Sequence, residues 1–174
     1  KDLPGGTTND VHFCYDNCLY DASTANSWGR LRVAWVGDET VYPFTTLQNG
    51  HVYKYDSRGR TAWEQAWIDD VGYATSYTYD SADRTKTMTY PGGEVVTNSY
   101  LPNAQLNSVV GTNTYVGSIT YTPWGAPDVM KLGSSGTPVV QVDYDYYSWT
   151  GGSGEGRARL SRIMAGISTD LDSL

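Results

Sequence analysis

The sequence predicts an all-β fold made of repeated antiparallel hairpins, and three observations predict it. The aromatic residues are almost entirely tyrosine and tryptophan, with 15 Tyr and 6 Trp against 2 Phe in 174 residues. Glycine is frequent, with 19 copies, and Tyr-Asp dipeptides recur along the chain. Because aromatic residues suit half-buried pleated surfaces and glycines suit the turns between strands, this composition excludes an all-α protein.

The Tyr-Asp dipeptides set the length of the repeat. From Tyr55 onward the anchor tyrosines, two of them in degenerate copies, advance in steps of 24, 21, 21 and 23 residues. Each step has the length of one hairpin with its turns. These anchors are Tyr55, Tyr79, Tyr100, Tyr121 and Tyr144, and earlier copies lie at Tyr15 and Tyr20. We therefore predict about seven hairpins placed side by side.

The unit at residues 52–67 shows why each part forms. Residues 52–55 alternate as a strand does. The Asp56 side chain is suited to accept a hydrogen bond from the backbone two residues on, and Gly59 is suited to the positive φ of a turn. The next strand then carries four residues on one face, Thr61, Trp63, Gln65 and Trp67.

The following units repeat this arrangement. Tyr77 and Tyr79 alternate before a turn at 80–83, and a Thr-rich strand leads to Pro-Gly-Gly at 91–93, a strong turn signal. The meander then continues through further strands and turns at 94–100, 102–104, 106–110, 115–132 and 137–149.

No linker or shift in composition divides the chain, so we predict a single domain over residues 1–174. Its segment 1–12 is expected to be irregular, and 167–174 is expected to begin a further unit. Near the end, apolar residues at helical spacing are compatible with a helix: Leu160, Ile163, Met164, Ile167 and Leu171. The repeat instead favours a strand over 157–164, which we prefer.

Four segments together resemble the RHS or YD-repeat family: YKYDSRGR, YTYDSADRTKTMTYPGGE, ITYTPWGAPDVMKLGSSG, and YDYYSW followed by RLSRIMAG. The resemblance covers about residues 13–166, with a signature of Tyr-Asp, a short turn, Gly-Arg and a strand. The chain departs from it where Asp83 replaces the glycine and where Leu101 and Thr122 replace the aspartate. The resemblance implies antiparallel hairpins in a twisted, curved sheet, an open arc of a spiral shell.

The resemblance also assigns the structural repeat anchors. The aspartates are expected to organise turns, the glycine to permit them, and the rings to bond neighbouring strands. The anchors are Tyr15, Asp16, Tyr55, Asp56, Gly59, Arg60, Tyr79, Asp80, Arg84, Tyr144 and Asp145.

An architectural function follows from the resemblance: a scaffold that forms part of a shell and encloses or presents a toxin or adhesion segment. The expected partners are the remainder of an RHS-type parent protein or its enclosed toxin segment, and the expected location is secreted or cell surface. Self-association through open strand edges, into oligomers or filaments, is an alternative.

The charge of the chain argues against two classes of partner. A net charge of −7 and a pI near 4.6 leave no basic face for phosphates, so nucleic acid is not an expected partner. No apolar run reaches the roughly 18 residues of a spanning helix, so membrane insertion is not expected.

Cys14 and Cys18 leave two main interpretations open, a small disulfide or free thiols. A zinc site with His12 and His51 is a third, but the spacing is not that of a standard finger, so no metal is predicted.

The carboxylates predict no enzyme and no cofactor. Asp143 and Asp145 share a strand face and Asp69 adjoins Asp70, whereas a glycosidase needs one pair of carboxyls about 5 to 9.5 Å apart. The Tyr-Asp aspartates recur in every well-matched unit, as turn capping requires, while a catalytic pair is singular.

Trp63 and Trp67 are the remaining candidate site. Cross-strand aromatic pairs stabilise sheets, so we predict an aromatic ladder on one sheet face. The ladder would join both tryptophans to Tyr53, Tyr55, Tyr77 and Tyr79. Exposed rings also stack on sugars, so the alternative is a carbohydrate- or cell-wall-binding module in which these tryptophans stack on a glycan.

Overall fold

The computed structural model describes residues 11–16, 26–37, 49–134, 140–148 and 158–167. Every helix or strand assigned in these ranges is a β-strand, and the paired strands run antiparallel, so the all-β prediction is confirmed. The chain divides into two compact units, residues 1–94 and 95–174. The single domain over 1–174 stays a prediction.

The described part of the first unit forms a meander in which each strand pairs with the next along the chain. The turn between the fourth and fifth strands is Asp69-Asp70, with φ of 48° and 64°, as the tightest hairpin turns require. The strands are β1 Val11–Tyr15, β2 Leu31–Val36, β3 Asn49–Tyr55, β4 Thr61–Ile68, β5 Val71–Tyr79 and β6 Thr85–Thr89.

The described part of the second unit is a meander of the same kind. Its strands are β7 Val95–Tyr100, β8 Leu106–Val110, β9 Thr114–Tyr121, β10 Pro127–Leu132, β11 Val140–Tyr146 and β12 Leu160–Ile167.

The two chain ends test the expectations about irregular and helical segments. The last described element is the strand β12, as the repeat favoured, although it spans Leu160–Ile167 rather than 157–164. The first strand begins at Val11, inside the segment 1–12 expected to be irregular, because Val11 and His12 pair with β2. Residues 1–10 and 168–174 lie outside the described residues.

The apolar core is thin. Within the described ranges the buried hydrophobic residues are Val33, Val96 and Ile119. Val33, which is 4 % exposed, packs against partly buried Cys14, Trp35, Val52 and Trp67. In this part of the chain, cross-strand side-chain pairs and hydrogen bonds therefore contribute much of the stability.

The two faces of the first unit carry different aromatic residues, so the predicted single ladder is wrong. Trp63 is opposite Lys54, whereas Tyr53 is opposite Glu64. Residues that pair across two strands lie on the same face, and successive residues of one strand alternate between faces. Trp63 and Trp67 therefore lie on the face opposite to Tyr53. The register that causes this is set by the bulge at Lys54/Tyr55, which the spacing alone does not reveal.

Candidate functional site

The turn after Tyr55 is organised by Asp56. The Gly59 N–H donates to the Asp56 carbonyl at 2.9 Å and the Asp56 N–H donates to the Arg60 carbonyl at 2.9 Å. These bonds close a three-residue loop in which Gly59 has a φ of 79°. Asp56 Oδ1 also accepts the N–H groups of Arg58 and Arg60, at 2.9 and 3.0 Å. One carboxylate oxygen therefore satisfies two backbone donors of the loop.

The second carboxylate oxygen of Asp56 binds the Arg60 guanidinium. Nε lies 2.7 Å and Nη2 lies 2.6 Å from Oδ2. Burial of the carboxylate opposes ionisation, but the hydrogen bonds from Arg60 and the loop backbone outweigh it and hold the pKa of Asp56 below its usual 3.8. The aspartate is thus ionised at neutral pH and fixes the arginine over the next hairpin.

The turn after Tyr79 repeats this geometry. Asp80 Oδ1 accepts the N–H groups of Ala82 and Arg84 at 2.9 and 3.0 Å, and its Oδ2 lies 2.7 Å from Nε of Arg84. The hydrogen bond from Arg84 is the main cause that lowers the pKa of Asp80. Asp83 takes the place of the glycine with a φ of 64°, which aspartate tolerates better than most residues.

Each of these anchor tyrosines is hydrogen-bonded to the preceding hairpin. Tyr55 Oη donates to the Leu31 carbonyl at 2.5 Å, and Tyr79 Oη donates to the Thr61 carbonyl at 2.6 Å. The acceptor is in each case the residue that pairs with the previous anchor, since Leu31 pairs with Tyr15 and Thr61 pairs with Tyr55. The bond therefore advances by one repeat at a time.

The second unit contains the same bonds. Tyr121 Oη donates to the Leu106 carbonyl and Tyr146 Oη donates to the Pro127 carbonyl, both at 2.7 Å. We call these four bonds the tyrosine ladder. Burial raises the pKa of all four donor tyrosines above 10.0, so each hydroxyl keeps the proton that it donates. The ladder persists at Tyr121, where Thr122 replaces the aspartate.

Arginines also connect successive turns. The Arg60 guanidinium lies 4.3 Å from the centroid of the Tyr79 ring and contacts the carboxylate of Asp83. Arg58 Nη1 reaches the same carboxylate at 2.6 Å. The cation of one turn thus covers the anchor of the next.

Equivalent positions in other repeats keep this connection. Arg30 lies 5.6 Å from the centroid of the Tyr55 ring and its Nε donates to the Gly59 carbonyl at 3.1 Å. In the second unit Gln105 occupies the arginine position, and its Nε2 donates to the Gly125 carbonyl at 3.2 Å. The link from turn to turn is therefore maintained without a charge.

The turns without aspartate keep the backbone loop. Thr122 N–H donates to the Ala126 carbonyl at 2.9 Å, and Thr122 Oγ1 accepts the Ala126 N–H at 3.1 Å. At Leu101 the backbone N–H donates to Gln105 at 2.8 Å, and Asn103 Oδ1 accepts the Gln105 N–H at 3.2 Å. The loop conformation thus tolerates several capping side chains.

The predicted anchor pair Tyr144-Asp145 is wrong, because both residues lie inside β11 and pair with residues of β12. Asp145 forms an ion pair with Arg162 Nε at 2.8 Å instead of capping a turn. The anchor is Tyr146, which forms the ladder bond, and the N–H of Tyr147 closes the hairpin. In the sequence YDYY either Tyr144 or Tyr146 could serve as the anchor, and the hydroxyl bond identifies Tyr146.

The first repeat has a longer turn. Tyr15 pairs with Leu31 across a bulge, as the later anchors do with their partners. Asp16, with a φ of 59°, donates its N–H to the Arg30 carbonyl at 3.2 Å, and its carboxylate accepts the Gly29 N–H. The same backbone closure therefore operates here.

Cys14 lies in β1 and is disulfide-bonded. Cys18 lies outside the described residues, as does Tyr20, so the pairing of Cys14 with Cys18 stays a prediction.

The His12 ring stacks on Trp35 at a centroid distance of 5.0 Å. Across the described ranges, no group of three or more His, Cys, Asp or Glu side chains is placed to hold a metal ion.

The two predicted glycan-stacking residues are partly buried and contact neighbouring side chains. Lys54 Nζ lies 4.8 Å from the centroid of the Trp63 ring. Trp67 packs against Val33. Neither indole is among the exposed large hydrophobic side chains.

The most exposed indoles of the described residues are two that sequence reasoning missed. Trp28 is 73 % exposed and Trp124 is 52 % exposed. Each directly precedes a glycine with positive φ in a turn, so the Trp-Gly dipeptide within a turn was the available signal. Trp124 also packs edge-on against Tyr146 at 5.9 Å.

Sequence reasoning also missed a tyrosine–carboxylate pair. Tyr77 Oη donates to Glu64 Oε1 at 2.6 Å. Burial, followed by this hydrogen bond, raises the pKa of Tyr77 to about 12. Tyr77 lies on β5 and Glu64 on the adjacent strand β4, and the phenol stays protonated at neutral pH.

The carboxylates considered for catalysis are also engaged in structural contacts. Asp143 Oδ1 accepts from Gln141 Nε2 at 2.9 Å. Asp69 and Asp70 form the turn between β4 and β5.

In the part of the chain that the structure describes, no helix is long and apolar enough to span a membrane.

Comparison with solved structures identifies the fold. A chain of "Crystal Structure of TcdB2-TccC3" matches with a TM-score of 0.66 and 15% identity, over 92% of this chain and 8% of that one. A chain of "Structure of Photorhabdus luminescens Tc holotoxin pore, Mutation TccC3-D651A" matches with a TM-score of 0.66 and 14% identity, over 97% of this chain and 8% of that one. No protein-family model and no curated protein sequence matches. The likeness supports an RHS-like fold. This chain spans 8% of the length of each of these two neighbours.

Proposed function

We propose that this chain is a scaffold segment, a wall of tyrosine-anchored hairpins within a shell that encloses or presents a toxin or adhesion segment. The observation that carries the proposal is the tyrosine ladder, in which four hydroxyls bond the preceding hairpin. Catalysis needs one singular arrangement of groups, whereas a wall needs one contact repeated many times. We propose no catalytic role, since the candidate carboxylates are occupied by structural contacts.

The proposed partners are the remainder of an RHS-type protein or its enclosed segment. The fold likeness to chains of a TcdB2-TccC3 structure and a Tc holotoxin pore supports this assignment. A secreted or cell-surface location is also proposed, and the disulfide at Cys14 supports it because disulfides persist in oxidising compartments. Glycan binding is not proposed, since Trp63 and Trp67 are partly buried and in contact with Lys54 and Val33.

Resistance to protease, measured on the full-length protein that the gene encodes, tests this function. We expect the enclosed segment to resist protease, and to become cleavable when the ladder is weakened by Tyr79→Phe with Tyr121→Phe. Tyr73→Phe is the matched control, because Tyr73 is 46 % exposed and outside the ladder. Equal cleavage in the unaltered protein and the ladder variant would contradict an enclosing wall. Electron microscopy of the same protein should show these strands within a closed wall.

A further inference from the structure

The residue just before the carbonyl acceptor of a ladder bond has a defined task in the first unit. Arg30 holds this position in one repeat, and its guanidinium lies 5.6 Å from the centroid of the Tyr55 ring. Arg60 holds it in the next repeat, and its guanidinium lies 4.3 Å from the centroid of the Tyr79 ring. The arginine position therefore supplies a cation to the anchor of the following hairpin.

The anchor Tyr146 has the ring without this cation. The acceptor of its ladder bond is Pro127, so the arginine position is Ala126. The backbone confirms the equivalence, because the Ala126 carbonyl closes its loop as the Arg60 carbonyl does in its own turn. Among the described residues, no cation lies over the Tyr146 ring. One repeat thus keeps the anchor and has no guanidinium for it.

A second ring stands beside this anchor. The Trp124 ring is perpendicular to the Tyr146 ring, with an interplanar angle of 90° and centroids 5.9 Å apart. Trp124 is 52 % exposed, so the corner between the two rings is accessible to solvent. The faces of Trp and Tyr rings attract cations because their π electrons carry partial negative charge.

Asp128 places a carboxylate on the same face of the sheet. Val129 pairs with Asp143, and successive residues of a strand alternate between faces. Asp128, one residue before Val129, therefore shares a face with Tyr146, three residues after Asp143. Burial raises the pKa of Tyr146, and the nearby charges of Tyr144 and Asp128 raise it further.

This carboxylate has no cation of its own. Asp128 is exposed, and it takes part in none of the ion pairs formed among the described residues. In the first unit, by contrast, Arg60 binds a carboxylate and covers a ring at the same time. The corner at Tyr146 thus presents the acceptors of such a contact without the donor.

We propose that the corner formed by Trp124, Tyr146 and Asp128 binds a guanidinium group from outside the chain. A planar guanidinium stacks on a ring while its N–H groups donate to a carboxylate, as Arg60 does in the first unit. An ammonium is a compact, strongly hydrated charge without this planar fork, so the site prefers arginine to lysine. The net charge of −7 favours the approach of a cation. This binding site goes beyond the proposed scaffold function and does not depend on it.

Titration of the full chain with N-acetylarginine amide, followed by the NMR signal of the Trp124 indole, tests the site. Trp124→Ala identifies the signal by removing it. We expect saturable binding, and at least tenfold weaker binding of N-acetylcitrulline amide, which has a similar shape without the charge. N-acetyllysine amide should also bind more weakly than the arginine compound.

A short peptide that contains one arginine distinguishes two sources of the guanidinium. Tighter binding of the peptide than of N-acetylarginine amide assigns the site to an arginine of a partner segment. Equal affinity assigns it to the guanidinium group alone, as a free small molecule would supply it.

Two substitutions locate the binding in this corner. Ala126→Arg supplies a guanidinium from within the chain, as at the equivalent Arg60, and should abolish binding of the added compound. Asp128→Asn removes the carboxylate charge and should weaken binding at least tenfold. Asp143→Asn is the matched control, because Asp143 lies in the neighbouring strand on the opposite face, and it should leave binding unchanged. Circular dichroism verifies that every variant is folded.

Three results would each overturn the site. They are the absence of saturable binding, equal affinity for the arginine and citrulline compounds, and unchanged binding in the folded Ala126→Arg and Asp128→Asn variants. Trp124 would then be only the packing partner of Tyr146.

Discussion

The hydroxyl of Tyr79 lies 2.6 Å from the carbonyl oxygen of Thr61, the residue that pairs with the preceding anchor Tyr55. The guanidinium of Arg60, the residue that precedes Thr61 in the chain, lies 4.3 Å from the centroid of the Tyr79 ring. The ring of Tyr79 therefore contacts a cation and its hydroxyl donates a hydrogen bond, both to adjacent residues of the preceding hairpin. In a sheet with a thin core, such repeated contacts set how one hairpin is placed on the next.

Removal of one ladder hydroxyl should lower stability by a small, uniform amount. Tyr79→Phe and Tyr121→Phe each keep the ring and lose one hydrogen bond, so each should cost about 1 kcal/mol of unfolding free energy. Denaturant unfolding measures the difference. Tyr73→Phe should change stability by less than about 0.5 kcal/mol, since that side chain is exposed. A loss at Tyr73 as large as that at the ladder positions would show that the hydroxyl bonds are not specific.

Gly59→Ala should destabilise the chain by about 1 to 2 kcal/mol, because a left-handed backbone costs that much for a residue with a Cβ. Gly59 has a φ of 79°, and an added Cβ would also collide with the Arg30 guanidinium. Gly92→Ala is the control, since a Cβ there meets nothing within 4 Å and its φ is not positive. Thermal unfolding should separate the two variants, and equal melting temperatures would contradict the assigned loop.

The turns and strands of this fold were predictable because they depend on local chemistry. The loop after Tyr55 uses a capping side chain and a left-handed residue, and Asp56 and Gly59 are visible in the sequence. The anchor Tyr146 was not predictable from its dipeptide, because the neighbouring Tyr144-Asp145 fits the motif better. In the structure that pair lies inside β11, and Tyr146 forms the hydroxyl bond to the previous hairpin.

Sheet faces and side-chain pairs between strands were harder to predict. A bulge beside Tyr55 sets the register that separates Trp63 from Tyr53, and bulges depend on pairing rather than on composition. The contact of Tyr77 with Glu64 was missed for the same reason, since the two residues meet only when β4 and β5 are aligned.

Acid should weaken the chain through Asp56 and Asp80. Both carboxyls have a pKa below 3.8 in the folded chain. Their contribution to the unfolding free energy is therefore complete above the ordinary pKa and is lost as the pH falls through the folded pKa. The double variant Asp56→Asn with Asp80→Asn keeps an oxygen acceptor but no ion pair, and should flatten the decline in stability as the pH falls from about 5 through the ordinary pKa of 3.8. Denaturant midpoints at each pH provide the measurement. Asp128→Asn, a carboxyl-to-amide change in β10 and outside the turn loops, is the control variant.

Tryptophan substitutions should separate packing from ligand binding. Trp67→Ala removes a half-buried ring from Val33 and should cost about 2 kcal/mol, below the cost at fully buried sites. Trp124→Ala removes an edge-on pair with Tyr146 and should cost about 0.5 to 1.5 kcal/mol. Retention on glycan columns should be absent before and after each change. Retention lost with Trp124→Ala at an unchanged melting temperature would instead support a glycan site.

Alkali should act through the pair of Tyr77 and Glu64. The pKa of Tyr77 is about 12 in the folded chain against an ordinary 10.0. Its contribution to the unfolding free energy is therefore complete below pH 10.0 and is lost as the pH rises towards 12. Glu64→Gln removes the charged acceptor and should lower the pKa of Tyr77 only part of the way, because burial, the largest cause, remains. The ultraviolet absorbance of tyrosinate measures the shift, and Tyr77→Phe identifies the group by abolishing one late ionisation. An unchanged titration in Glu64→Gln would show that burial alone holds this proton.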